Sequence, residues 1–173
     1  MREASASSVF YFAYGSNMSW PRLKARVPSA QPCGVAALRG HRLRFHKLGR
    51  DGSGKCDAQH TGDPADCVLG VLYQISASDK SYLDRVEGMG FGYAEQTVRL
   101  QAANRPPVEA FTYLALRIAD GLRPFHWYKQ HVLYGAREHG LPASYIKRLT
   151  VIESVPDSDM ARQASELAIY GAE

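Results

Sequence analysis

The chain has 173 residues, a formal net charge of +4, and a composition that is 45% apolar and 22% charged. That size fits one domain at about 150 residues each, with enough apolar content to bury a core without staples. The longest apolar runs, Val9–Tyr14 and Val35–Leu38, fall far short of the roughly 18 to 20 residues of a membrane span. The polar start Met1–Ser5 lacks the apolar stretch of a secretory signal. Cys33, Cys56 and Cys67 are odd in number and widely spaced, which speaks against a disulfide framework and for free thiols in a reducing, cytoplasmic setting.

In chain order, the small polar residues 1–8 are expected to be disordered, with one domain over 9–173. Val9–Tyr14 is aromatic and β-branched, apolar on both faces, and runs into Gly15-Ser16-Asn17. This predicts a buried strand ending in a tight loop. Ser19-Trp20-Pro21 opens a short helix with Ser19 as its cap, ending before Pro28. Cys33–Lys47 reads as strand interrupted near Arg39-Gly40, with Leu43 and Phe45 on one face and Arg42, Arg44 and His46 on the other. A glycine-rich turn over Leu48–Gly54, a strand over Lys55–His60, a turn at Gly62-Asp63-Pro64 and a buried strand over Cys67–Ile75 follow.

Ser76-Ala-Ser-Asp79 has capping-box spacing. It starts a helix reaching Glu87 that buries Tyr82, Leu83 and Val86, with Gly88 as its stop. Tyr93–Leu100 and Val108–Leu116 are strands around a turn at Asn104–Pro107. Helices are expected after Pro124 through His139, over Pro142–Glu153, and over Ser158–Tyr170. A strand-rich middle followed by helices predicts an α+β fold.

Two features carry chemistry. Tyr14-Gly15-Ser16-Asn17 would expose backbone N–H groups, a hydroxyl and an amide in one turn, a concavity suited to carboxylates or oxyanions. Glu87 would sit at a helix C-terminus, where the macrodipole opposes negative charge and raises a carboxyl pKa, as suits a general acid or base. The residues alone leave both open against a plain strand-to-helix turn and an exposed helix-end carboxylate.

Gly88-x-Gly90-x-Gly92 leaves a helix and enters a strand, the reverse of a dinucleotide turn. Cys56, His60 and Cys67 lack zinc-site spacing, so no metal is expected. Neither a Gly-x-Ser-x-Gly elbow nor a phosphate-binding loop is present. His126, His131 and His139 read as surface or packing residues. The basic stretch Arg39–Lys47 with Arg50 raises nucleic-acid binding, but no nucleic-acid module accompanies it, and a solvated strand face accounts for the charge.

Phe10-Tyr-Phe-Ala-Tyr-Gly-Ser-Asn-Met18 resembles the substrate loop of the γ-glutamylcyclotransferases, and Leu83-Asp-Arg-Val-Glu-Gly88 resembles the motif that holds their catalytic glutamate. Pro28-Ser-Ala30, Gly70-Val-Leu-Tyr73, Tyr128, Gly135–Pro142 and Tyr145 continue the likeness from about Phe10 to Pro156. The resemblance implies a small mixed β-barrel flanked by helices. It implies that Tyr14, Gly15, Ser16 and Asn17 hold the γ-glutamyl group, that Glu87 is the base, and that Tyr113 and Tyr128 line the pocket.

The implied reaction needs no cofactor: the substrate's α-amine attacks its own γ-carbonyl and releases 5-oxoproline and an amine or amino acid. The partner is a small γ-glutamyl molecule, with neither nucleic acid nor membrane, and a homodimer stays open. The glutathione-directed branch usually carries Tyr-Gly-Ser-Leu, so Asn17 points away from it. The Gly88–Gly92 loop differs from the better-known animal enzymes. That leaves the leaving group open among amino acids, amines and aminoglycosides, and a non-catalytic γ-glutamyl-binding module remains the rival class.

Overall fold

The computed structural model describes residues 7–171. Its strands are β1 (Ser8–Ala13), β2 (Gln31–Arg39), β3 (His41–Leu48), β4 (Gly54–His60), β5 (Cys67–Ser76), β6 (Tyr93–Ala102) and β7 (Val108–Ala115). Its α-helices are α1 (Trp20–Arg26), α2 (Ala77–Val86), α3 (His126–Glu138), α4 (Ala143–Thr150) and α5 (Met160–Leu167). Five strands close into a barrel in the order β1-β5-β2-β6-β7, and β3-β4 forms a separate hairpin. Barrel neighbours run antiparallel except β1 and β7, which meet in parallel at Tyr11 and Phe111. That one parallel seam makes the barrel mixed, and closure leaves no open sheet edge in it.

β5 carries the barrel's core, with Val68, Val71, Leu72, Tyr73 and Ile75 all at most 1% exposed. Gly70 lets β1 lie against it: a Cβ there would sit 2.4 Å from the Ala13 carbonyl oxygen and 2.7 Å from the Phe12 ring. β1 opens at Ser8, one residue earlier than its apolar pattern suggests, and ends at Ala13, so Tyr14 already belongs to the loop. Of the residues 1–8 read as disordered, 1–6 lie outside the described residues; Ser8 instead opens β1, and the Ser7 carbonyl accepts from Ala77 N–H at 2.9 Å.

The sequence pattern needs correcting in four places. The single interrupted strand expected over Cys33–Lys47 is two strands in different sheets, turned at Gly40 with φ +71°. His46 does not share a solvent face with Arg42 and Arg44. The register shifts between Arg44 and Lys47, and such a bulge breaks two-residue alternation. Phe45, His46 and Lys47 are therefore all buried, and His46 Nε2 lies 2.7 Å from the Asp57 carboxylate.

α2 buries Leu83 but leaves Tyr82 45% and Val86 37% exposed. Its working face is the i, i+3, i+4, i+7 stripe of Lys80, Leu83, Asp84 and Glu87. Lys80 and Asp84 bond each other, Lys80 reaches Glu95, and Asp84 accepts from Tyr113. A mostly polar stripe carries no hydrophobic period.

α4 stops at Thr150 rather than Glu153 because Lys129 Nζ reaches in and donates to the Thr150 and Ile152 carbonyls at 2.7 and 2.6 Å, as cations do at helix C-termini. Among the described residues no helix is long and apolar enough to cross a membrane.

Candidate active site

The loop after β1 turns as a short 3₁₀ segment, Ser16–Met18, that runs into α1. Three contacts fix it. Met18 is fully buried, and Tyr73 Oη donates to its carbonyl at 2.8 Å. Gly135 lets α3 lie directly on the loop: a Cβ there would come within 2.4 Å of the Ser19 nitrogen. Gly15 plays the same part on the inner side, where a Cβ would meet Cys56 Cβ at 2.9 Å and Tyr128 Oη at 3.3 Å. Ser19 sits at the helix cap position but its side chain does not cap; its hydroxyl accepts from Tyr170 at 2.8 Å.

Glu87 arrives from the opposite side. It is the C-terminal cap of α2, followed by Gly88 at φ +64°. Gly88 N–H donates to the Arg85 carbonyl at 3.1 Å and Met89 N–H to that of Asp84 at 2.9 Å, the paired closure of a Schellman motif. The Glu87 carboxylate accepts from Asn17 Nδ2 at 2.8 Å and lies 3.9 Å from Arg26 Nη1. Its side chain is 16% exposed, shielded yet reachable.

The seven residues singled out from the sequence, Tyr14, Gly15, Ser16, Asn17, Glu87, Tyr113 and Tyr128, all line one cleft. It is a narrow cleft of about 40 Å³, open at its mouth. Sequence reasoning missed Tyr11, Cys56, Tyr93 and Thr112, which complete the wall. Glu87 is the one carboxylate among these lining residues.

Hydrogen bonds lock the wall. Tyr14 Oη donates to the Tyr113 carbonyl at 2.5 Å and Tyr113 Oη to Asp84 at 2.5 Å. Tyr93 Oη donates to the Cys56 carbonyl at 2.8 Å, and Tyr128 Oη accepts from the Cys56 N–H at 3.0 Å. Burial pushes the pKa of every tyrosine here far up, and for Tyr11 the Glu87 charge adds to it. All five are neutral donors. Burial also pushes the Cys56 thiol up to about 12, so it is a protonated packing group rather than a nucleophile.

Several donors are left over. Among the described residues, the N–H groups of Gly15, Ser16 and Asn17 meet no acceptor. Tyr11 Oη accepts from Asn17 at 3.2 Å and donates to no described group. Unpaired amides and a free hydroxyl thus lie in one cleft with a single lining carboxylate, the kinds of group that proton transfer next to a developing oxyanion uses.

Residues 67–149 match the AIG2-like family. The chain is 32% identical to the γ-glutamylcyclotransferase of Bos taurus over 160 residues, 88% of this chain and 83% of that one. It is 32% identical to the Homo sapiens γ-glutamylcyclotransferase over 153 residues, 84% and 79% of the two chains. A solved γ-glutamyl cyclotransferase superposes with a TM-score of 0.85 at 28% identity, over 96% of this chain and all of that one. With the mixed barrel and the Glu87 cleft, this extent of likeness establishes that the chain belongs to the γ-glutamylcyclotransferase family.

Proposed function

We propose that this protein cyclises γ-glutamyl compounds to 5-oxoproline in the Tyr11–Glu87 cleft, with Glu87 as general base. The observation that carries the reading is the meeting of Glu87 and Asn17 at 2.8 Å, which sets the cleft's carboxylate beside the loop whose amides are unpaired.

The substrate brings both its nucleophile and its electrophile, so the enzyme's first task is to hold the glutamyl chain folded back on itself. Holding reacting groups together can supply several kcal/mol of the barrier. The N–H groups of Gly15–Asn17 and the free hydroxyl of Tyr11 supply donors for the α-carboxylate and for the γ-carbonyl oxygen as it gains charge. Glu87 removes a proton from the α-ammonium. The freed amine attacks the γ-carbon, forming the ring C–N bond. Glu87 then returns the proton to the departing nitrogen as the original C–N bond breaks. The ring nitrogen sheds its second proton to the departing amine, so the balance closes on 5-oxoproline and an ammonium product, with no redox change.

The neutral wall serves this chemistry. Five protonated tyrosines line it, and the neighbouring Asp84 carboxylate is taken up by the Tyr113 hydroxyl. Arg26 and Asn17 hold the carboxylate in place.

The test is Glu87→Gln, which keeps the side chain's size and its contact with Asn17. Release of 5-oxoproline from a γ-glutamyl amino acid is expected to fall by about 10² to 10⁴, with thermal unfolding little changed. Near-full turnover by this variant would eliminate Glu87 as the base.

A further inference from the structure

A wider cleft opens from the mouth of the inner pocket, sharing Ser16, Glu87, Tyr93 and Tyr128 with it. Its walls are strongly cationic. Several of the cations already have partners: Arg22 pairs with Glu166, Lys55 with Asp51, and Arg162 with Asp157. Lys47, Arg50 and Arg117 form no ion pair with any described residue.

These three come from three different elements: the bulged end of β3, the β3–β4 turn, and the segment after β7. Lys47 is only 8% exposed, an unusual place for an ammonium without a carboxylate. Its Nζ lies 4.6 Å from the Tyr93 ring centroid, a cation–π contact that offsets part of that cost.

The glycine-rich loop after Glu87 is shaped around these cations. A Cβ on Gly92 would stand 2.9 Å from Lys47 Nζ, and one on Gly88 3.4 Å from an Arg50 nitrogen. At the rim, Arg117 stacks 5.0 Å from the Phe91 ring centroid. The glycine-rich loop after Glu87 is therefore the loop that admits the free cations.

We propose that Lys47, Arg50 and Arg117 form the leaving-group subsite, and that this enzyme prefers γ-glutamyl amino acids whose leaving residue carries a second carboxylate. The proposal rests on the cyclotransferase reading, which places the γ-glutamyl half in the inner pocket and so the leaving half in this cleft. A leaving amino acid with a neutral side chain presents one carboxylate to three unpaired cations; γ-glutamyl-glutamate or γ-glutamyl-aspartate presents two. A leaving polyamine or aminoglycoside presents positive charge and is repelled.

The experiment compares γ-glutamyl-glutamate with its near-isostere γ-glutamyl-glutamine, scoring 5-oxoproline release. The acidic peptide is expected to show about tenfold higher kcat/KM, mostly through KM, because the contact holds in ground and transition states alike. The Arg50→Gln/Arg117→Gln double variant, both positions exposed, is expected to shrink the ratio to about 1–3, and raised salt to narrow it in the parent. Equal turnover of the two peptides, or an unchanged ratio in the double variant, overturns the proposal. Failure of both peptides to release 5-oxoproline would instead strike the cyclotransferase reading. Calorimetric binding of the two peptides to Glu87→Gln reads the subsite without turnover, and equal affinities there also overturn it.

Discussion

The inner pocket and the outer cleft meet at Glu87 and Tyr93 but follow opposite building rules. Inside, Tyr14, Tyr93 and Tyr113 are fixed by short bonds to backbone carbonyls or to Asp84, and Glu87 supplies the lining's single carboxylate. Outside, long flexible cations line the walls and three of them lack partners. A fixed neutral wall suits the half of the substrate that never changes and must be held in one conformer. A wet cationic wall suits a half that varies, where charge selects without demanding one shape.

Breaking the inner rule should do the most damage. Glu87→Gln tests the proton carrier itself, at about 10² to 10⁴ in rate. Gly15→Ala comes next, since it tests the rigidity that surrounds the base. Its methyl would enter the space of Cys56 Cβ and Tyr128 Oη, neither of which can swing away: Tyr128 holds the Cys56 N–H, and Cys56 lies within β4. Overpacking of this kind costs about 1–3 kcal/mol of stability. If the amides of the loop grip the reacting group, a displacement approaching 1 Å costs on the order of 10² in turnover. Denaturant titration alongside 5-oxoproline release separates the two. A variant that unfolds earlier yet turns over normally would show that the loop's position is not catalytic.

Breaking the outer rule should do less. Exposed ion pairs are worth about 0.2–1 kcal/mol each, so Arg50 and Arg117 together shift the preference between substrates by about tenfold rather than abolish turnover. An effect of Arg50→Gln/Arg117→Gln on neutral and acidic substrates alike, as large as that of Glu87→Gln, would erase the distinction between the two regions.

The two regions also differ in how far they could be read from the sequence. The inner site was legible because its parts lie in two short contiguous stretches, Tyr14–Asn17 and Leu83–Gly88, whose residue types carry the resemblance. All seven named residues reach the cleft. Tyr11 was hidden by its own strand: between Phe10 and Phe12 it reads as one more core aromatic. Only the parallel β1–β7 seam, formed across a hundred positions, brings it within 5.8 Å of Tyr113.

Lys47 was hidden by the bulge after Arg44, which no alternation rule anticipates. The working face of α2 was hidden because Lys80, Asp84 and Glu87 are charged, so the eye follows Tyr82 and Val86 instead. The cationic cleft was visible only as an excess of basic residues around Arg39–Arg50. Its meaning depends on which of those cations find partners after folding, and that is a property of tertiary structure alone.

The smallest effect concerns the cleft's far wall. Glu166 ties α5 to α1 and α3 through Arg22 at 2.5 Å and His131 at 3.1 Å. The hydrogen bond from His131, with the Arg22 charge beside it, holds its carboxyl at about 2 against an ordinary 4.5. A carboxyl lowered on folding stabilises the fold wherever the unfolded form is ionised. Glu166 thus contributes fully above about pH 4.5, and the contribution fades as pH falls toward about 2. With the side chain 27% exposed, solvent screening limits it to on the order of 1 kcal/mol. Glu166→Gln should therefore lower the melting temperature slightly at pH 7 and hardly at all near pH 2, so the two stability curves converge on acidification. The same variant frees Arg22 in the outer cleft, adding one unpaired cation there. If the cleft selects by charge, the preference for γ-glutamyl-glutamate over γ-glutamyl-glutamine should rise at pH 7 even as the fold loosens. A fall in that preference would mean that Glu166 shapes the cleft more than it neutralises it.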